Sequence, residues 1–136
     1  MRDYSKLIEK INTAGSILIF THANMDGDAL GSSGALCLAL RSLGKKAAVL
    51  TQSPCPAYLR FADQGFLTGE VPFDADLSIA VDMGSDSRLE GLKEVFYRSK
   101  DQICIDHHVR DEAFLTDVVV DPAAAACGCL IYELLR

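Results

Sequence analysis

Three short apolar runs, at residues 16–21, 77–82 and 102–106, each lead directly into side chains that bind metals or move protons. The first opens onto His22, Asp26 and Asp28, the second ends in Asp82, and the third ends in Asp106 followed by His107 and His108. Runs of this length without polar alternation predict strands covered on both faces of a sheet. Helix-like patterns lie between them, and alternation of strand and helix predicts an α/β fold: a parallel sheet flanked by helices, with right-handed crossovers. In such a sheet ligands bind beyond the carboxyl ends of the strands. This arrangement gathers carboxylates and all three imidazoles of the chain along one rim.

The intervening pattern fits this reading. Tyr4, Leu7, Ile8 and Ile11 fall on one face of an amphipathic helix closed near Gly15. A second helix is expected over about 29–43, with Leu36, Leu40 and Leu43 inward and Gly44 as its C-terminal cap. Gly31 and Gly34 permit close backbone approach to the sheet or to a bound phosphate. Ser32 and Ser33 either face solvent or offer amides to phosphate, and Lys45 and Lys46 complement a helix C-terminus. A short strand is expected at 47–51, a rigid Ser53-Pro54-Cys55-Pro56 loop after it, and an edge strand at 66–67. Leu89, Leu92 and Phe96 mark one further helix, with Asp86 as its potential cap and Arg88 either solvated or near phosphate. A brief strand at 118–120 and a final helix carrying Cys127, Leu130, Ile131 and Leu134 complete the pattern.

A chain of 136 residues, nearly half of them apolar, has the size and core of one domain. The formal net charge of −6 argues against broad binding to a phosphate backbone, while leaving room for a local site where cations reverse the sign. The five cysteines are odd in number, and Cys127-x-Cys129 is too tight for a typical zinc pair, so all five read as reduced thiols of a cytoplasmic protein. No apolar run approaches the length of a membrane span.

Mixed nitrogen and oxygen donors suit a divalent ion such as Mn²⁺, Zn²⁺ or Fe²⁺. Each piece has a plainer reading: an aspartate at a strand end is usually a cap or turn former, and a His-His pair is often an exposed turn. Their convergence favours metal, because like charges crowded on one rim repel until cations bridge them.

His22-x₃-Asp26-Gly27-Asp28-Ala29-x-Gly31-Ser32, Asp82 within Val-Asp-Met-Gly-Ser, and Asp106-His107-His108 resemble, in order and spacing, the first three motifs of the DHH phosphoesterases. Asp121-Pro-Ala-Ala-Ala-Ala and its helix are similar to the stretch that follows the third motif. The likeness is nearest the nanoRNase/pAp-phosphatase branch, which degrades very short oligoribonucleotides and dephosphorylates 3′-phosphoadenosine 5′-phosphate. It implies two manganese sites, with Mg²⁺ or Co²⁺ as substitutes. His22, Asp26 and Asp82 would hold one ion, and Asp28, Asp82 and His107 the other. Asp106 would orient a histidine ring, and His108 would contact the scissile phosphate. Such an ion pair can activate water and clamp a phosphoryl group.

Met25 departs from the proline usual before Asp-Gly-Asp in the family, which predicts a looser turn. A further metal-binding aspartate and a C-terminal substrate-binding domain of the family have no counterpart within these residues. The resemblance therefore implies an incomplete DHH domain over 1–136, binding metal weakly and poor in catalysis, and is compatible with an oligomer. A DHH-type pyrophosphatase, a RecJ-like single-strand exonuclease and, from another class, a non-catalytic nucleotide-binding domain remain open alternatives.

Overall fold

A computed structural model of the chain describes residues 3–83, 86–107 and 118–136. Its helices are α1 (Ser5–Thr13), α2 (Gly27–Ser42), α3 (Lys93–Arg98) and α4 (Cys127–Leu135), and its strands are β1 (Ser16–Phe20), β2 (Lys46–Leu50), β3 (Leu67–Thr68), β4 (Leu77–Val81), β5 (Asp101–Asp106) and β6 (Val118–Val120). Two 3₁₀ segments, Ala57–Ala62 and Asp86–Leu92, follow β2 and β4. Among the described residues the strands form one parallel sheet in the order β3-β2-β1-β4-β5-β6. The chain winds outward from β1 through β2 to β3, then returns to the middle at β4 and winds the other way. A crevice at the carboxyl ends of β1 and β4 is the consequence, because their following loops depart in opposite directions.

Both faces of the sheet are covered, which explains why the strands are apolar without alternation. Ile17, Ile19, Ile79, Ile103 and Ile105 point into a core shared with Leu7 and Ile11 of α1, Leu36 and Leu40 of α2, and Leu130 and Ile131 of α4. Leu18, Phe20, Ala80 and Cys104 point the other way, onto Leu89 and Phe96. Phe96 meets Phe20 edge-on, with ring centroids 5.2 Å apart. Among the described residues no helix is long and apolar enough to cross a membrane.

Local departures from the sequence reading have identifiable causes. The single helix expected around residues 89–96 is broken into a 3₁₀ segment and α3, because Glu90 takes φ 50° and ψ −123°. The neighbouring Gly91 amide donates to Gln52 Oε1, tying that kink to the loop after β2. Leu43 is exposed rather than inward, since α2 ends at Ser42 and Gly44, at φ +82°, turns the chain away. Lys45 donates to the Ala14 carbonyl at the end of α1, 2.7 Å away, rather than serving its own helix. Gly34 is required for close approach, yet the partner is an aromatic ring: a Cβ there would lie 2.4 Å from Phe66. Gly31 has open space beside it.

Candidate metal centre

The loop after β1 runs through Thr21 to His22, a residue that is nearly buried (7 % exposed). His22 Nδ1 lies 2.9 Å from the Ala23 carbonyl oxygen, an arrangement in which Nδ1 donates and Nε2 is turned toward the crevice. Asn24 follows in the left-handed region at φ 56°, and its amide donates to Ser53 Oγ. Met25 is buried in the core on the α2 side of the sheet. The turn expected to be loose without proline is therefore anchored by burial of the thioether and by the Ser53 bond.

Asp26 caps α2, its Oδ1 accepting the Ala29 amide at 2.8 Å. Capping leaves its second oxygen available, so the plain reading of Asp26 and the metal reading are compatible. Asp28 sits in the first turn of α2, where a helix N-terminus favours negative charge. Ser32 and Ser33 are buried and donate back to the Asp28 and Ala29 carbonyls, so their hydroxyls are satisfied within α2 and do not face solvent.

Asp82, the first residue beyond β4, is 2 % exposed and adopts φ 62°. A left-handed aspartate directly after a strand redirects its carboxylate across the sheet edge. Its Oδ2 lies 3.5 Å from His22 Nε2, and its Oδ1 lies 3.3 Å from His107 Nε2. His107 Nε2 is also 3.5 Å from Asp28 Oδ2. Two overlapping triads result: His22, Asp26 and Asp82; and Asp28, Asp82 and His107, with the ligand atoms of each triad within 4.8 Å of one another. Each offers one imidazole and two carboxylates, a donor set that fits a borderline divalent ion such as Mn²⁺.

The electrostatics point the same way. The hydrogen bond to Asp82 is the main force raising the His22 pKa; burial opposes it, the Ala23 carbonyl adds to it, and the Arg88 charge lowers it. A cation therefore competes with a proton for Nε2. Burial drives the thiol of Cys127 far above its ordinary range, helped by the charges of Asp82 and Asp28, so it remains a neutral thiol beside the centre. Cys37 is likewise raised by burial, and all five cysteines are free.

Asp106 ends β5 wholly buried and lies outside both triads; its backbone carbonyl accepts the Asp121 amide. His108 lies outside the described residues, as do Gly84 and Ser85. Two contributors have no sequence signature: the backbone amides of Cys127 and Gly128, each 2.9 Å from an oxygen of Asp28. They come from about a hundred residues downstream, so no local pattern announces them.

The profile of the DHH family, N-terminal domain, matches residues 16–136. The chain is 36% identical over 126 residues to the bifunctional oligoribonuclease and PAP phosphatase NrnA of Thermus thermophilus, covering 89% of this chain and 36% of that protein. Among solved structures it is similar to an exopolyphosphatase-related protein from Bacteroides fragilis (TM-score 0.86, 24% identity), covering 96% of this chain and 42% of that one. It also resembles exonuclease RecJ bound to manganese (TM-score 0.57, 19% identity), covering 96% of this chain and 34% of that one. The chain thus spans little more than a third of the length of the curated relative it matches.

Proposed function

This chain belongs to the DHH family, as its N-terminal domain, and from that premise we propose that it is the metal-holding part of a phosphoesterase acting on short oligoribonucleotides or on nucleotides such as 3′-phosphoadenosine 5′-phosphate. The observation that carries the reading is the shared carboxylate: Asp82 turns one oxygen toward His22 and the other toward His107, at the crevice where the sheet order reverses. His22, Asp26 and Asp82 hold one divalent ion, Asp28, Asp82 and His107 a second, and manganese is the ion of choice. Bound there, such a pair supplies an activated water at neutral pH and neutralises charge on phosphoryl oxygens.

The protein's own groups orient and shield. The Ala23 carbonyl fixes the His22 tautomer, the cap to Ala29 fixes Asp26, and the buried Asp82 spaces the two positions. The family likeness supports two further assignments: Asp106, buried at the end of β5, orients a histidine ring, and His108, outside the described residues, contacts the scissile phosphate. The relatives extend well beyond this length, and we assign substrate binding on the open side of the crevice to that additional sequence.

The test is release of mononucleotide from a diribonucleotide, and of phosphate from 3′-phosphoadenosine 5′-phosphate, with Mn²⁺ or with chelator. Turnover should require Mn²⁺, be weak for this chain alone, and become strong when the chain is extended by the portion its relatives carry. Tight nucleotide binding without product in both forms would replace this reading with a non-catalytic nucleotide-binding domain. Hydrolysis restricted to pyrophosphate would reassign the substrate.

A further inference from the structure

Helix α4 begins without a side-chain cap of its own: its N-cap residue is Ala126. Its first amides are nevertheless satisfied, because Asp28 reaches across from α2. The Cys127 amide donates to Asp28 Oδ2 and the Gly128 amide to Asp28 Oδ1, both at 2.9 Å. A Cβ at Gly128 would lie 3.4 Å from Asp28 Oδ1, an ordinary contact, so what this position gives the carboxylate is its amide and not the absence of a side chain. Asp28 Oδ2 also lies 3.5 Å from His107 Nε2, which meets Asp82 Oδ1 at 3.3 Å.

We propose that the N-terminus of α4 is the positioning element for Asp28, its Cys127 and Gly128 amides holding the carboxylate in the orientation the second cation requires. This rests on the reading of Asp28 as a metal ligand given above. A carboxylate has about four lone-pair sites, so one amide on each oxygen leaves the remainder for a cation. The amides and the helix dipole also offset part of the repulsion between Asp28 and Asp82 before any cation arrives. The pocket is thereby organised in advance. Linkage makes the effect reciprocal: a cation that fixes Asp28 also fixes the cap of α4.

Calorimetric titration with Mn²⁺ of the wild-type chain, Gly128→Ala and Gly128→Pro tests this. Proline is tolerated in the first helical turn, but it deletes the donor and places ring carbon against Asp28 Oδ1. We expect Gly128→Pro to weaken one of two Mn²⁺ sites by about tenfold or more, the scale seen when partners of metal ligands are removed. The site of His22, Asp26 and Asp82 is retained, and Gly128→Ala, which keeps the amide, remains close to wild type. Circular dichroism of each variant checks that it is folded. A folded Gly128→Pro variant with unchanged Mn²⁺ binding, or with both sites equally weakened, overturns the proposal and leaves the metal reading intact. Wild-type chain that binds no Mn²⁺ removes both.

Amide hydrogen exchange on the wild type decides the matter without any variant. Added Mn²⁺ should slow exchange at Cys127 and Gly128. Unchanged or faster exchange in a chain that binds Mn²⁺ means that the cation takes Asp28 away from α4, and the proposal fails.

Discussion

The two ends of the strands both carry aspartates, and the protein satisfies them by different means. At the amino end, Asp101 receives the Lys10 ammonium at 2.6 Å, and Asp76 accepts the Gly15 amide at 2.9 Å. Lys45 binds the Ala14 carbonyl beside them. At the carboxyl end, Asp82 faces two histidines, Asp28 faces two main-chain amides, and Asp26 caps a helix. One end is an exposed surface where a lysine and a main-chain amide compensate separate acids. The other is a partly buried concentration of negative charge held by weaker donors. The lesson is that the number of acids at an edge says little. How each acid is compensated separates a solvated surface from a pocket prepared for a cation.

This contrast can be broken most directly at Asp82. Asp82→Ala should abolish binding of both ions, because one carboxylate serves both triads, and calorimetry should show Mn²⁺ stoichiometry falling to zero. An unchanged stoichiometry would refute the bridge. Next in size is the response of stability to metal. Mn²⁺ at about a hundredfold over its dissociation constant should stabilise the fold by about 2.7 kcal/mol per independent site, reversed by chelator. Lys10→Met should leave that increment untouched; a changed increment would mean that the two ends are not independent.

Lys10→Met itself is expected to cost about 0.2–1 kcal/mol in urea unfolding, since Asp101 is half exposed and such pairs are screened. The smallest effect concerns acid. The Gly15 amide holds the Asp76 carboxyl below its ordinary value of 3.8. Its contribution to stability is thus fully present above that value and is lost as pH falls through the lowered one. Asp76→Asn should flatten the acid limb of the stability profile by lowering the neutral plateau slightly and leaving the most acidic end nearly unchanged, as read from melting temperature against pH.

Much of this was readable in the sequence, for physical reasons. Uniformly apolar runs ending in donors specify both the parallel sheet and its functional rim, since strand direction fixes which ends face the crevice. The runs place His22, Asp26, Asp28, Asp82, Asp106, His107 and His108 on one rim. The likeness to the DHH motifs singles out five of them as ligands, and the structure brings the side chains of those five, His22, Asp26, Asp28, Asp82 and His107, together. What escaped were interactions that a linear pattern does not encode. The capping of α4 by Asp28 spans about a hundred residues and uses main-chain atoms. Gly34 reads as a close-approach glycine, but that it faces Phe66 emerges only in three dimensions. The apolar spacing of Leu89, Leu92 and Phe96 suits one helix, yet the backbone at Glu90 reverses between them. Ser32 and Ser33 bond inward to their own helix, a choice their spacing leaves undetermined.

Strand register adds a consequence of its own. Phe20 sits opposite Ala80, and Val81 sits opposite Ile105, so the last rungs of three parallel strands decide where His22, Asp82 and His107 emerge. Sliding β4 by a single residue would carry Asp82 about 3.3 Å along the sheet and flip it to the opposite face. The ladder of main-chain hydrogen bonds thus works as a caliper for the pocket, and a chain that captures cations here reports that its central strands have locked in step.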